Sequence, residues 1–328
     1  MQRKVEISHR TIIFTVLFLL SLFILYQIRQ ILVIFFVSLV LMSALNPAVS
    51  RLERMRIPRI AAILLVYLMV FLLLGLVIAG IIPPLIDQTA VLLSRLPDYF
   101  RTSGLSGINQ DFLATQLGQI GSIPTNLLKI TFSLFNNLLA VFILAVVVFY
   151  LLIERKKLDR YLLFLFGTDG EKKAKKFVDE LEKKLGGWVR AQIFLMVLIG
   201  AMSYLGLRLL GIEFALPLAL LAGLLEVIPN VGPTIASIPA ILTGLAISPL
   251  MGLSVGALYF LIQQIENSFI LPQVMSKGVG VNPLVSVMAL ATGFELAGVV
   301  GVVLSIPLVL LVQVLLSEFF ALKHFKSL

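Results

Sequence analysis

The sequence predicts an all-α fold that crosses a membrane several times, on three observations. Hydrophobic residues make up 59% of the chain and charged residues only 13%, where soluble domains carry about a quarter charged residues. Mean hydropathy is +1.06. The apolar runs are continuous rather than alternating, which excludes a transmembrane β-barrel. Together they predict a polytopic helical protein with about seven or eight membrane segments, including broken or re-entrant helices in its C-terminal half.

The net charge of +9 comes from basic residues clustered in loops beside the apolar runs, as the positive-inside rule expects. No aromatic-and-basic patch accompanies it, so the partner is the lipid bilayer and not a nucleic acid. There are no cysteines, which excludes disulfides, thiol catalysis and Cys-based metal sites. The two histidines, His9 and His324, lie near opposite ends, where solvated roles are expected. No phosphate-binding Gly-rich loop and no His-Glu-x-x-His is present. Gly104-Leu-Ser-Gly107 sits in a polar segment without a histidine to activate its serine. The chain reads as a non-enzyme without cofactor or metal.

Residues 1–59 predict an N-terminal helical hairpin and an Arg-rich cytoplasmic loop. The runs 11–28 and 31–45 follow each other almost without a loop, Asn46-Pro47 ends the second, and Arg51, Arg54, Arg56 and Arg59 come next. No small-residue cleavage site follows the first run, so it reads as an uncleaved anchor. Residues 60–153 hold two spans, 60–82 and 131–153, flanking an outer segment at 84–130. Pro83-Pro84 are expected to stop the first span. Leu85, Thr89, Leu92, Leu93 and Leu96 recur at helical spacing beyond it, which predicts amphipathic helices on the outer surface.

Residues 154–190 form a Lys-rich cytoplasmic helix. Ala174, Phe177, Val178, Leu181, Leu185 and Trp188 share one face, and Lys172, Lys173, Lys175, Lys176, Lys183 and Lys184 the other. Glu171–Lys175, Asp179–Lys183 and Glu180–Lys184 fit i,i+4 pairing. The helix lies either on the membrane surface or against its own protein.

The C-terminal core, 191–328, carries only Arg208, Glu213, Glu226, Glu266, Lys277, Glu295 and Glu318 as charges before Leu322. A span at 191–210 leads to 214–228 and 233–247, each short for a full crossing. These two form either a re-entrant hairpin or one discontinuous helix. Residues 249–265 read as a span, with a loop from Pro272 to Gly280 after it. Asn282-Pro283 starts a helix with Asn as N-cap, interrupted at Gly293-Phe-Glu295 and at Pro307.

Function concentrates at Glu226-Val-Ile-Pro-Asn-Val-Gly-Pro233. Pro229 and Pro233 have no N–H to donate, and in hydrocarbon such irregular backbone survives only inside protein or around a watery cavity. Burial there disfavours a charged carboxylate, so Glu226 and Glu295 suit carrying protons or coordinating Na⁺. The alternative is that they accept hydrogen bonds from freed backbone or pair with Arg208. Asn230 and the freed backbone around Gly232 complete the expected site, with Glu295, Glu266 and Asn267 as further candidates. A helix starting near Thr234 points its positive end at the break, which suits an anionic or hydroxyl-rich solute. Gly223-Leu-Leu-Glu226, Gly232 and Ser237-Ile-Pro239 recur as Gly293-Phe-Glu295, Gly301 and Ser305-Ile-Pro307. Paired interrupted segments of this kind point to a transporter binding site.

Three stretches resemble the autoinducer-2 exporter-like permeases: Glu226 through Pro239, Ile265-Glu-Asn-Ser-Phe-Ile-Leu-Pro-Gln-Val-Met275, and Val281-Asn-Pro-Leu with the Gly-rich last span ending Ile306-Pro307. The first half matches by layout only. The resemblance implies a helical permease of the bacterial cytoplasmic membrane that forms a homo-oligomer, while the Arg-rich loop and the basic C-terminal end (Lys323, Lys326) place both termini in the cytoplasm. Members have been assigned signal-molecule export and Na⁺/H⁺ antiport. The expectation is a secondary transporter moving a small polar molecule outward, coupled to H⁺ or Na⁺. A cation/proton antiporter and a non-transporting scaffold are the alternatives. Glu226→Gln separates them, since it matters most to an antiporter and least to a scaffold.

Overall fold

The computed structural model describes residues 9–102, 138–229, 231–276 and 282–324. Among the described residues every regular element is helical: α1 (His9–Gln27), α2 (Arg29–Arg54), α3 (Arg59–Thr102), α4 (Leu138–Glu154), α5 (Leu158–Leu209), α6 (Ala215–Leu225), α7 (Val231–Ile247), α8 (Pro249–Ile265), α9 (Leu271–Ser276) and α10 (Pro283–His324). The polytopic helical fold class holds. Gly104 to Gly107, most of the outer segment and Lys277 lie outside the described residues.

The N-terminal hairpin does not form. Ile28 N–H donates to the Ile24 carbonyl at 2.9 Å and Leu32 N–H to the Ile28 carbonyl at 3.1 Å, so helical bonding carries across the junction and α1 prolongs α2 with a bend. A cytoplasmic N-terminus inferred from a hairpin loses that support. Asn46-Pro47 does not end the second run either, because α2 runs on to Arg54 with Pro47 inside it. Likewise α3 passes through Pro83-Pro84 and reaches Thr102. Each proline deletes one backbone bond, but an apolar helix packed among others tolerates that loss.

The helices α2, α3 and α4 share a core of Met42, Val49, Ala62, Ile63, Val66, Val148 and Leu152. Arg59 ties them at the basic end. Its Nε donates to the Leu152 carbonyl at 2.8 Å, its Nη1 to Glu53 at 3.0 Å and its Nη2 to Asn46 at 3.2 Å. Lys156 also pairs with Glu53.

The Lys-rich helix and the following span are one element. After a break at Gly167 (φ 66°), the stretch Gly170–Leu209 runs 40 residues, or about 60 Å at the α-helical rise. Its apolar face meets its own protein: Leu185 and Trp188 pack with Val40, Ile306 and Leu310. Of the two placements open in the sequence, packing against the protein is the one observed. The i,i+4 pairing is partly replaced. Lys184 meets Glu180 at 3.6 Å, but Lys175 pairs with Asp159 at 2.5 Å and Asp179 with Arg155 at 2.6 Å.

In the C-terminal half, 214–247 is a helical hairpin rather than a discontinuous helix. Leu218, Leu221 and Ala222 of α6, Ala236 and Ala240 of α7, Val255 and Tyr259 of α8 and Leu207 of α5 form one buried cluster. α7 must therefore turn back alongside α6. At eleven residues, about 16 Å long, α6 is too short to cross the hydrocarbon. The loop expected from Pro272 is helical as far as Ser276, and a π turn, Glu266–Ile270, joins it to α8.

The last helix also doubles back. Ala297 (φ −147°, ψ 20°) and Gly298 (φ 57°, ψ −139°) break it. A Cβ on Gly301 would stand 1.9 Å from the Gly293 carbonyl oxygen, although residues so far apart on a straight helix are about 12 Å apart. Both copies of the sequence repeat thus fold as hairpins closed on glycine, with Glu226 at one turn and Glu295 near the other. Asn282 caps the second as expected, its Oδ1 accepting from Leu284 N–H at 2.9 Å.

Candidate functional site

The site forms where α6 ends. Glu226 N–H still donates to Ala222 at 3.1 Å, and Ile228 N–H then reaches Leu225 at 3.0 Å, tightening the last turn. That bond uses the Leu225 carbonyl that Pro229 leaves free. Pro233 in turn frees the Pro229 carbonyl, which accepts from Val231 N–H at 2.8 Å, while Gly232 N–H reaches Ile228 at 2.9 Å. Gly232 is required sterically, since a Cβ there would lie 1.8 Å from the Leu225 carbonyl oxygen. Pro229 is half-buried and Pro233 buried within this turn.

Glu226 is 0% exposed, and so is Glu266. α8 brings the second carboxyl from forty residues downstream, at the first position of the π turn, close enough to interact with the first. Neither Glu226 oxygen has a donor among the described residues. Gln263 Nε2 donates to Glu266 Oε2 at 3.3 Å, and Glu266 Oε1 is left without a donor. No described Lys or Arg forms an ion pair with either acid. The suggested pairing of Glu226 with Arg208 is absent, and Arg208 is exposed.

A third span supplies Gln192, which the sequence reading passed over. It is 3% exposed, and its Nε2 donates to the Glu226 backbone carbonyl at 2.6 Å. Its Oε1 is buried without a donor. The signal was available: Gln192 is the only side-chain amide in the apolar run 191–207. Close helix contact places it, because Gly200 and Gly223 approach each other with a Gly223 Cβ position only 2.5 Å from the Met196 carbonyl oxygen.

Of the other candidates, Asn267 is exposed and Glu295 is exposed near the second turn, so neither joins the buried pair. Asn230 lies outside the described residues. The arrangement is a cluster of buried acceptors from three helices, with no cation of its own. It can take a proton, a cation or a hydrogen-bond-donating solute. It disfavours an anion, against the suggestion drawn from the helix dipole, because two carboxyl groups outweigh one helix end.

A family model described as AI-2E family transporter matches residues 12–321. The chain belongs to the AI-2E transporter family. This member is similar to the AI-2 transport protein TqsA of Escherichia coli (strain K12), 26% identical over 304 residues that cover 88% of this chain and 86% of TqsA. It is similar also to YueF of Bacillus subtilis (strain 168), 26% identical over 82% of this chain and 78% of YueF. YrrI of the same strain is 25% identical over 90% of this chain and 88% of its own length. Both carry provisional transport-protein names. An AI-2E family member with this helical architecture is a multi-pass membrane transport protein.

Proposed function

We propose that this protein is a secondary permease that exports a small polar solute across the cytoplasmic membrane, and that the Glu226–Glu266 pair carries its coupling proton. The buried pair carries the reading. Two carboxyl groups make a hydrogen bond to each other only when one of them holds a proton, and burial without a counter-ion favours keeping at least one proton on the pair. Removing that proton leaves two facing anions in an apolar setting, which a donor-rich solute arriving at the break relieves. Proton release and solute binding are then linked through one set of oxygens. The transport names of the relatives, including the AI-2 transport protein TqsA, support a transport role.

A second reading rests on the unpartnered Gln192 Oε1. Together with the two buried carboxyl groups it adds an oxygen acceptor to this part of the molecule, a chemistry that suits a hard cation such as Na⁺ and a cation/proton antiporter.

The absence of cysteine gives the test. A single Cys replaces Ile228 at the break and is probed with membrane-impermeant thiol reagents from each side of oriented vesicles. Labelling from both sides, redistributed by pH, is the expected result. Protection from both sides under every condition would make the break a structural kink and sink the permease reading. Na⁺-dependent redistribution without a solute would select the antiporter.

A further inference from the structure

We infer that Gln192 is a positioning residue of this site: its hydrogen bond from α5 to the Glu226 backbone carbonyl holds the Glu226 carboxyl against Glu266. The inference rests on the proton-carrying role of the pair and adds a third member to it. The partner atom is a carbonyl, which only accepts, so the amide nitrogen of Gln192 must face it. The bond is 2.6 Å long and lies on a side chain 3% exposed. It therefore has no competing water at the surface.

The backbone explains why a clamp from another helix is needed. Glu226 is the C-cap of α6, and past it the chain makes only short-range turns around Pro229. Helix ends leave carbonyls without intrahelical partners, and a buried one requires a donor from elsewhere. Gln192 provides that donor. Because the amide grips the main chain of the same residue whose side chain meets Glu266, the clamp sets where the carboxyl points. Gly200 and Gly223 keep α5 and α6 close enough for the amide to reach, since a methyl group on Gly223 would strike the Met196 carbonyl. Here the nitrogen is engaged across spans and Oε1 is idle.

The test uses infrared spectroscopy on the purified full-length protein at neutral pH, reading the carbonyl stretch of protonated carboxyl groups, which is distinct from the carboxylate bands. Wild-type protein is expected to show a protonated-carboxyl band that changes position in Glu226→Gln and in Glu266→Gln, because the acid left behind is still buried without a counter-ion, and that disappears only when both are replaced. Gln192→Met, of similar size but without a donor, should shift that band. It should also speed deuterium exchange of its proton about tenfold, the factor that one buried hydrogen bond is worth. Gln192→Asn, which keeps the amide but withdraws it by one methylene, should do the same. It also serves as the second probe should the methionine variant fail to fold. Ser203→Ala, an equally buried change elsewhere on α5, should leave band and exchange unchanged. A wild-type band with unaltered position and exchange in the Gln192 variants overturns the positioning role and leaves the proton pair standing. No protonated-carboxyl band in the wild type overturns the proton pair itself, and the clamp with it.

Discussion

On the proposed role, Glu226 and Glu266 act as one group, and that sets their mutational behaviour. Each alone is a costly buried acid; in the proposed arrangement the two share one proton, so losing either destroys the same function. Glu226→Gln and Glu266→Gln are each expected to abolish pH-driven proton movement across proteoliposomes, read with an internal pH dye. The double variant should be no worse than either single one, because residues working as a unit are strongly non-additive. Partial, multiplying losses would mean two independent acids. The sequence marked Glu226 as central, because prolines surround it. It ranked Glu266 lower, because an acid at a span end normally sits at the interface. Only the π turn and the return of α8 to the end of α6 turn it inward, and that pairing depends on a tertiary path no local pattern encodes.

At the scale of elements, proline proved a weak stop signal and glycine a strong folding signal. Pro47 and Pro83-Pro84 lie inside continuous helices, whereas Gly232 and Gly301 mark the places where the chain closes on itself. The reason is steric. A missing N–H costs one bond that neighbours can offset, but a Cβ cannot share space with a carbonyl oxygen. The two hairpins should accordingly fail separately. Gly232→Ala is expected to disrupt the site hairpin and remove transport. Gly301→Ala should open only the second one, widening the distance between spin labels on exposed Met288 and Val312 while the Glu226–Glu266 infrared signature persists. A shared collapse in both variants would show the hairpins to be one cooperative unit.

The Arg59 knot is a second element-level device. It joins α2, α3 and α4 through Glu53, Asn46 and the Leu152 carbonyl, and its side chain is 12% exposed. Arg59→Ala removes several donors at once and leaves a partly buried carboxylate with Lys156 as its remaining partner. The expected loss is roughly 2–4 kcal/mol, seen as a lower melting temperature in detergent. Arg59→Lys should recover only part of it, since an ammonium cannot reproduce the planar fork. In the sequence Arg59 counted simply as one of four loop arginines, because its partners come from 93 residues away in the case of Leu152.

Across the whole molecule, packing is uneven, and the unevenness says which parts the fold needs. The buried clusters involve α2 to α8 and the second arm of α10, while every α1 side chain described from Ile12 to Gln27 is exposed. An apolar helix without packing partners adds little to the stability of the bundle, because lipid covers it as well in the unfolded reference as in the folded one. Removing residues 1–27 should therefore leave the melting temperature of the remaining chain and its Gln192–Glu226–Glu266 infrared signature unchanged. The same truncation tests the proposed homo-oligomer. If α1 serves subunit contacts, light scattering will show a smaller particle with an intact core. If the particle size is unchanged, α1 faces lipid, and the exposed apolar arm of the second hairpin, where Leu284, Val287, Met288 and Phe294 stand clear of the rest of the described chain, becomes the next surface to test for subunit contacts. A drop in melting temperature would contradict the packing and require α1 to fold back on the bundle, as the short loop between the first two apolar runs first suggested.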